Sequence, residues 1–438
     1  MRAARTSAGG PAPVVPESVI AATAGLEPPY AVLDLEAFRR NAADLAARAN
    51  DVPIRVATKS VRCRHLLRMV VALPGYGGGL LASSLAEALW LAGAQGRDTE
   101  ADADPVSRDI VVGYPSVDRS SLAALAADEV ARTRLTLMID DPAQLALLRQ
   151  ALDQAGPCET PVRVCLDVDA SYRLGPAHLG ARRSPIRTPE QAAELTDHVV
   201  ADPRLLLDGV MFYDAQIAGI PDRPAGAAWA APAVRLLKRT SALELASRRT
   251  AVIAAVSERL RHAGRPRLRF VNGGGTGSLE VVRRDAVLTE LAAGSGLLAP
   301  TLFDGYRAFT PAPAAYFVLP VLRRPAPDLV TCAAGGFVAS GPAGSDRLPT
   351  PVHPPGLALT AAEGAGEVQT PLRVQRGGRG ASGEEALPTI GSAVWFRHAK
   401  AGELLEHFDA LHLVRRGVRG GTLVDTVPTY RGELRSYG

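Results

Sequence analysis

Lysine is almost missing from this chain. Of 49 basic residues in 438, three are lysines, Lys59, Lys238 and Lys400, and arginine supplies the rest. Arginine stays protonated and cannot condense with a carbonyl, whereas a desolvated lysine can lose its proton and attack one. Aromatic residues are also few, at 5%, which argues against base-stacking platforms for nucleic acid. Net charge is only +4 and the arginines are scattered, so no dedicated nucleic-acid surface is expected. Four cysteines, Cys63, Cys158, Cys165 and Cys332, make no CxxC pair and no framework spacing. That excludes a disulfide-built fold and fits a reducing, cytoplasmic setting. Cys165, inside an apolar run, reads as a small buried hydrophobe. No apolar run is long enough to span a bilayer. Residues 1–28, rich in Ala, Pro and Gly, lack the apolar core of a signal peptide and read as a mobile tail.

What is present is an ordinary globular composition, 47% apolar and 21% charged, in a chain long enough for about two domains. A strand at Pro28–Leu35 runs into a helix over Glu36–Asn50. Short β-branched apolar segments then recur at Pro53–Thr58, Gly79–Ser83, Asp109–Tyr114, Arg134–Ile139, Val162–Asp169, Leu206–Tyr213, Leu268–Asn272 and Leu297–Thr301. Between them lie segments of helical spacing such as Ser84–Gly93, Pro142–Gly156 and Ala251–Gly264. Asp141 before Pro142 marks a helix start. Strands apolar throughout are strands buried on both faces, and eight βα units match the size of a (β/α)8 barrel, with an open doubly wound sheet as the rival. The barrel is expected over residues 29–310. Gly96–Arg108 reads as a solvated loop, and Gly219–Thr250 as an insertion at the barrel rim. From 311 to 438 prolines cluster around short irregular runs, which predicts a smaller, mainly β domain with loops at Gly341–Gly356 and Gly377–Pro388.

Several groups fall where such a barrel would carry chemistry, at the C-terminal ends of its strands. Lys59 closes the run Ile54-Arg55-Val56-Ala57-Thr58 and is either reactive or snorkelling to water. Asn272-Gly273-Gly274-Gly275-Thr276-Gly277-Ser278 follows an apolar strand and suits an anion cradle or a tight turn. Ser278 stands where a third glycine would complete a dinucleotide fingerprint, and no P-loop lysine follows. Ser171-Tyr172-Arg173-Leu174-Gly175 and Tyr213-Asp214-Ala215-Gln216 end two further strands; Arg173 there could hold an oxyanion or bridge loops. In the second domain His398 and Lys400 alternate along a strand end and could face one side. Glu403, Glu406, His407 and His412 read as surface residues, and Glu363 and Glu367 as acids at a turn.

Lysine after the first barrel strand, Arg-Leu-Gly after the fifth and Gly-Gly-Gly-Thr-Gly after the seventh, with a β domain behind, resemble the fold-type III pyridoxal-phosphate enzymes. This is the alanine-racemase-like barrel with a C-terminal β domain. The likeness runs from about Pro28 to His412, and is nearest to the D-threonine aldolase/D-serine dehydratase branch, including proteins called amino acid deaminase/aldolase. The resemblance implies that Lys59 joins pyridoxal 5'-phosphate as an aldimine. It also implies that Asn272, Gly274, Gly275 and Thr276 bind the cofactor's phosphate side, helped by Asp304 or Tyr306. Arg173 would approach the phenolic oxygen and Tyr213 would lie by the ring. His398 and Lys400 become candidate catalytic groups. The branch's divalent metal is held by a His and, two positions on, a Cys or Asp; here the metal ligand His398 is followed by Lys400, whose ammonium would replace the metal's charge. The implied activity is cleavage, or dehydration with deamination, of a β-hydroxy D-amino acid by a homodimer. A racemase is the runner-up, and a cofactor-binding protein without catalysis and a metal-dependent barrel hydrolase are the further alternatives.

Overall fold

The computed structural model describes residues 15–94, 104–223, 228–375, 388–418 and 420–437. The first strand, β1 (Tyr30–Asp34), stands outside the barrel. Barrel strands follow as β2 (Ile54–Ala57), β3 (Leu80–Ala82), β4 (Ile110–Val112), β5 (Leu135–Ile139) and β6 (Val162–Asp167). A hairpin, β7 (Tyr172–Leu174) and β8 (Ala177–Leu179), interrupts the series before β9 (Leu205–Phe212), β10 (Phe270–Gly273) and β11 (Glu290–Ala293). The eight strands are parallel and close in the order β10–β11–β2–β3–β4–β5–β6–β9.

Alternation along each strand separates two cores. Ile54, Val56, Leu80, Ala82, Ile110 and Val112 pack outward in the large cluster shared with the helices. Leu81, Val111, Met138, Cys165, Met211 and Phe270 form a separate cluster of inward side chains. Cys165 is therefore the buried small hydrophobe expected of it. The helices start where the sequence says they should: Asp141 accepts from Ala143 N at 2.7 Å to cap Pro142–Ala155, and Asp34 accepts from Glu36 N and Ala37 N at 3.1 Å each to cap Leu35–Ala49.

The inward stack ends in a charge network. Arg55, 0% exposed, meets Glu290 in two hydrogen bonds of 2.7 and 2.9 Å, and Asp109 at 3.1 Å. Asn272 Nδ2 donates to the same Glu290 at 2.9 Å. Strands β2 and β11 are neighbours, so the bidentate pair spans the seam where the barrel closes.

The eighth strand is not Leu297–Thr301. That stretch forms part of two 3-10 segments, Ser295–Leu297 and Thr301–Gly305, and the strand is Glu290–Ala293. The pattern misleads because Glu290 is charged and two of the other three residues are alanine, whereas Leu297 and Leu298 are buried without being in a strand.

Behind the barrel lies a nine-stranded sheet of β12 (Ala315–Ala326), β13 (Leu329–Ala333), β14 (Thr350–His353), β15 (Leu357–Leu359), β16 (Gln369–Val374), β17 (Ala393–Arg397), β18 (Ala410–Gly417), β19 (Gly420–Pro428) and β1. Strand β1 sits inside it, antiparallel to β12 and parallel to β18. The split at residue 310 thus misassigns β1, which completes the second domain from the other end of the chain. Part of the stretch expected to be a tail is packed structure. Glu17–Ala22 is a helix, and Val15 and Val19, both 0% exposed, pack with Tyr30, Val32, Tyr316 and Trp395; residues 1–14 lie outside the described residues. So do most of the loop placed at 96–108 and nearly all of that at 377–388, while the loop placed at 341–356 contains β14. In the described part of the insertion, a 3-10 turn at Ala228–Ala230 leads into a 32-residue helix, Ala231–His262. Its Lys238 pairs with Asp222 at 2.9 Å, and Arg248 Nη2 donates to Ser171 O at 2.9 Å, which braces the exit of β6. No described helix is long and apolar enough to cross a membrane.

Removing one partner of the seam pair strands a buried charge. Glu290→Leu is expected to lower stability by about 3–5 kcal/mol, read from denaturant unfolding, while Arg55→Met with Glu290→Leu should recover most of that loss. Equal losses in the single and double variants would contradict the assignment.

Candidate active site

Lys59 lies in a one-turn 3-10 segment, Thr58–Ser60, directly after β2. Buried Thr58 donates its hydroxyl to Leu81 O at 3.1 Å and ties that turn to the next strand. Lys59 Nζ donates to Tyr114 Oη at 2.7 Å. The Arg183 guanidinium stands 5.4 Å from the Tyr114 ring centre and 5.5 Å from that of Tyr213. Burial pushes the Tyr114 phenol up, but Lys59 and Arg183 outweigh it and hold it below its ordinary value.

The glycine loop after β10 is locked from behind. Ser278 Oγ accepts from Gly275 N at 3.1 Å and donates to buried Asp214 at 3.4 Å. Arg48 Nη2 donates to Thr276 O at 2.6 Å. The Thr276 hydroxyl accepts from Gly296 N at 3.1 Å and Ser295 Oγ at 3.3 Å, which joins the loop to the exit of β11. Gly277 has no room for a side chain: a Cβ there would lie 2.3 Å from Ala218 O and 2.4 Å from the Tyr306 ring. Tyr306 in turn donates to Ala218 O at 2.7 Å.

The second domain contributes a loop of its own. Lys400 Nζ donates to Ser340 Oγ at 2.5 Å and lies 3.9 Å from Glu403. Burial lowers the Lys400 pKa, and nearby Lys59 and Arg347 lower it further against the opposing effect of Glu403. Gly402, at φ 91°, packs onto the lysine turn so closely that a Cβ would fall 1.8 Å from Lys59 O.

These three parts enclose one cavity of about 560 Å³. Of the residues anticipated from sequence, Lys59, Tyr213, Asn272, Gly274, Gly275, Thr276, Tyr306 and Lys400 line it. Three others do not. Arg173 is carried on the β7–β8 hairpin with its side chain half-exposed, bound to Asp169 at 3.3 Å, whereas Arg183 lines the cavity. Asp304 is engaged by Arg397 through two hydrogen bonds of 2.9 Å. His398 is enclosed at 3% exposure, and burial, with Arg397 beside it, pushes its imidazole down to about 3. Among the bystanders, His407 stacks on Phe337 and His412 bonds Thr426. Sequence reasoning missed Tyr114, Asp167, Arg183 and Arg347; Asp167 ends β6 and Tyr114 follows β4 by two residues, positions that could have singled them out. Burial, then Asp140 and Asp169, raise the Asp167 carboxyl to about 7 against the pull of Arg183.

A family model for the alanine racemase N-terminal domain matches residues 33–297. The chain belongs to that family. It is 26% identical over 404 residues to a D-threonine aldolase of Arthrobacter sp., covering 90% of this chain and 91% of that one. Its fold matches the D-threonine aldolase of Filomicrobium marinum with a TM-score of 0.70 at 22% identity, over 93% of this chain and 95% of the other. The D-threo-3-hydroxyaspartate dehydratase of Delftia sp. HT23 superposes with a TM-score of 0.64 at 20% identity, over 92% and 98%.

Membership implies pyridoxal phosphate, and the cavity fits it. It offers a primary amine on Lys59, a glycine-lined cradle ending in the Thr276 hydroxyl, and a Tyr213 ring beside Arg183. A divalent metal does not fit in the same way. The His398 ring is enclosed outside the cavity and meets the Ala315 backbone, and Lys400, a cation, holds the second position. No cluster of three His, Cys, Asp or Glu side chains suited to a metal occurs among the described residues.

Two variants probe this geometry. Gly402→Ala sets a Cβ against the Lys59 carbonyl in a left-handed conformation and is expected to cost at least ~1–2 kcal/mol, with a fall in thermal midpoint. Asp167 has a raised carboxyl, so its contribution is present at low pH and is lost as pH climbs from 3.8, its ordinary value, to about 7. Asp167→Asn should therefore gain on the parent chain steadily across that window in thermal unfolding; a pH-independent difference would contradict it.

Proposed function

We propose that this protein is a pyridoxal-phosphate-dependent lyase that cleaves, or dehydrates and deaminates, β-hydroxy D-amino acids. The observation that carries the reading is the convergence of Lys59 and the Gly274-Gly275-Thr276 cradle on one cavity. The relatedness to D-threonine aldolase supports the substrate class.

Lys59 is the covalent anchor for the cofactor, and Gly274, Gly275 and Thr276 hold its phosphate. Pyridoxal phosphate, when bound, supplies an electron sink for a bond broken at the substrate's Cα. The chain's own residues do the rest. Lys59 Nζ, with Tyr114 Oη at 2.7 Å as its proton partner, is placed to move a proton at Cα or the β-oxygen. Arg183, between two tyrosine rings, fixes their orientation and keeps Tyr114 poised below its ordinary pKa. Lys400 brings positive charge from the second domain to the β-oxygen, replacing the charge a metal would supply.

Borohydride reduction of the purified holoenzyme should leave the cofactor on the peptide containing Lys59. Lys59→Ala should abolish that adduct and cut turnover on D-threonine or D-threo-3-hydroxyaspartate by ~10²–10⁴-fold or more. Cofactor attached elsewhere, or inversion of the amino acid at Cα without cleavage or dehydration, would defeat the proposal. Chelator-treated enzyme is expected to keep its activity; a stoichiometric, essential divalent ion would remove Lys400 from its assigned role.

A further inference from the structure

Arg347 reaches the cavity from a loop that no recognised motif includes. It ends the 3-10 turn Ser345–Arg347, and its backbone is held at both sides: N donates to Gly344 O at 3.0 Å, and O accepts from Ala339 N at 2.8 Å. The guanidinium is seated against Gly341, where an added Cβ would come within 3.3 Å of Cζ. The side chain is only 18% exposed, and the carboxylate paired with it is that of adjacent Asp346, 3.5 Å from Nε. That distance closes no hydrogen bond, since Nε is buried without a partner. No hydrogen bond from Nη1 or Nη2 to a protein acceptor occurs among the described residues. A guanidinium fixed by its surroundings and left with its fork free is a receptor for a planar anion.

The neighbouring charges point the same way. Lys400 faces the same cavity and is close enough for Arg347 to disfavour its charged form. Glu403, which also lines this side, is already engaged by Ser340 N at 2.9 Å and lies 3.9 Å from Lys400. Lys400 thus has beside it a carboxylate that is already committed, and Arg347 one that it does not hydrogen-bond, in a cavity that also holds the Lys59 amine.

We propose that Arg347, flanked by Lys400, is the subsite that binds a carboxylate of the substrate. The assignment rests on the lyase reading above and adds to it a recognition element from the second domain. Two substrate groups share this chemistry: the α-carboxylate carried by every amino acid, and a second carboxylate on Cβ of a dicarboxylic substrate.

The test compares Arg347→Met and Arg347→Lys with the parent holoenzyme, using D-threonine and D-threo-3-hydroxyaspartate. Cofactor uptake is measured first, from the visible band and the borohydride adduct. Arg347→Met is expected to take up cofactor as the parent does and to raise KM by about tenfold or more, with kcat changed far less. Arg347→Lys, which keeps the charge and loses the fork, should fall between the two. A matching rise in Kd, read from the visible band on adding amino acid, would separate binding from turnover. A rise for both amino acids assigns the α-carboxylate, and a rise for D-threo-3-hydroxyaspartate alone assigns the second carboxylate. Unchanged KM and Kd for both in a variant that holds its cofactor would overturn the subsite and leave the lyase reading standing. A parent chain that takes up no pyridoxal phosphate would overturn both.

Discussion

The bidentate contact between Arg55 and Glu290 is the constraint on which the rest of the barrel depends. It joins the first and last strands of the closed sheet where no covalent continuity does, and its charges are shut away from water. Such a pair is weak as a source of net stability but severe as a condition, because either partner alone is an uncompensated buried charge. It reaches the candidate site by short paths on both sides. Arg55 is four residues ahead of Lys59 on one strand and its turn. Glu290 takes a hydrogen bond from Asn272, which opens the glycine loop. Amine and cradle are therefore both tied to one electrostatic clasp.

The other half of the site depends on contact between domains. Gly402 lies against the Lys59 carbonyl, and this proximity brings Lys400 toward the first lysine. The scarcity of lysine in the sequence then has a physical sense. Two of the three line the cavity, and the third, Lys238, is committed to Asp222 while its ammonium lies 4.9 Å from the Tyr306 ring centre. Elsewhere arginine does the structural work, as in Arg48 at Thr276 O or Arg248 at the exit of β6.

Much of the barrel was legible because strands covered on both faces are apolar throughout, and seven of the eight were placed within a few residues. The eighth escaped because its charge serves the seam rather than the core. The same asymmetry governs the site. Lys59 and the glycine loop carry local signatures, an amine closing an apolar run and a glycine run that follows a strand. Arg183 and Arg347 carry none, since their role arises from loops that meet only in three dimensions. Arg173 drew notice because it follows the strand closely in sequence, yet the β7–β8 hairpin turns it outward. His398 looked like a ligand through the family resemblance, although Lys400 already departed from the pair, and burial instead leaves it a neutral ring outside the cavity.

The position of β1 between β12 and β18 has a consequence for how the molecule is made. On the ribosome, the strand at residues 30–34 emerges long before its partners, which lie roughly 285 and 380 residues downstream. The barrel can condense in the interval, as domains generally do during synthesis. The sheet cannot, and its central edge must wait for the last strands to appear. Cutting the gene at the apparent boundary would give a barrel trailing an orphan strand and a sheet with a gap through its middle, so the two halves are one heritable unit.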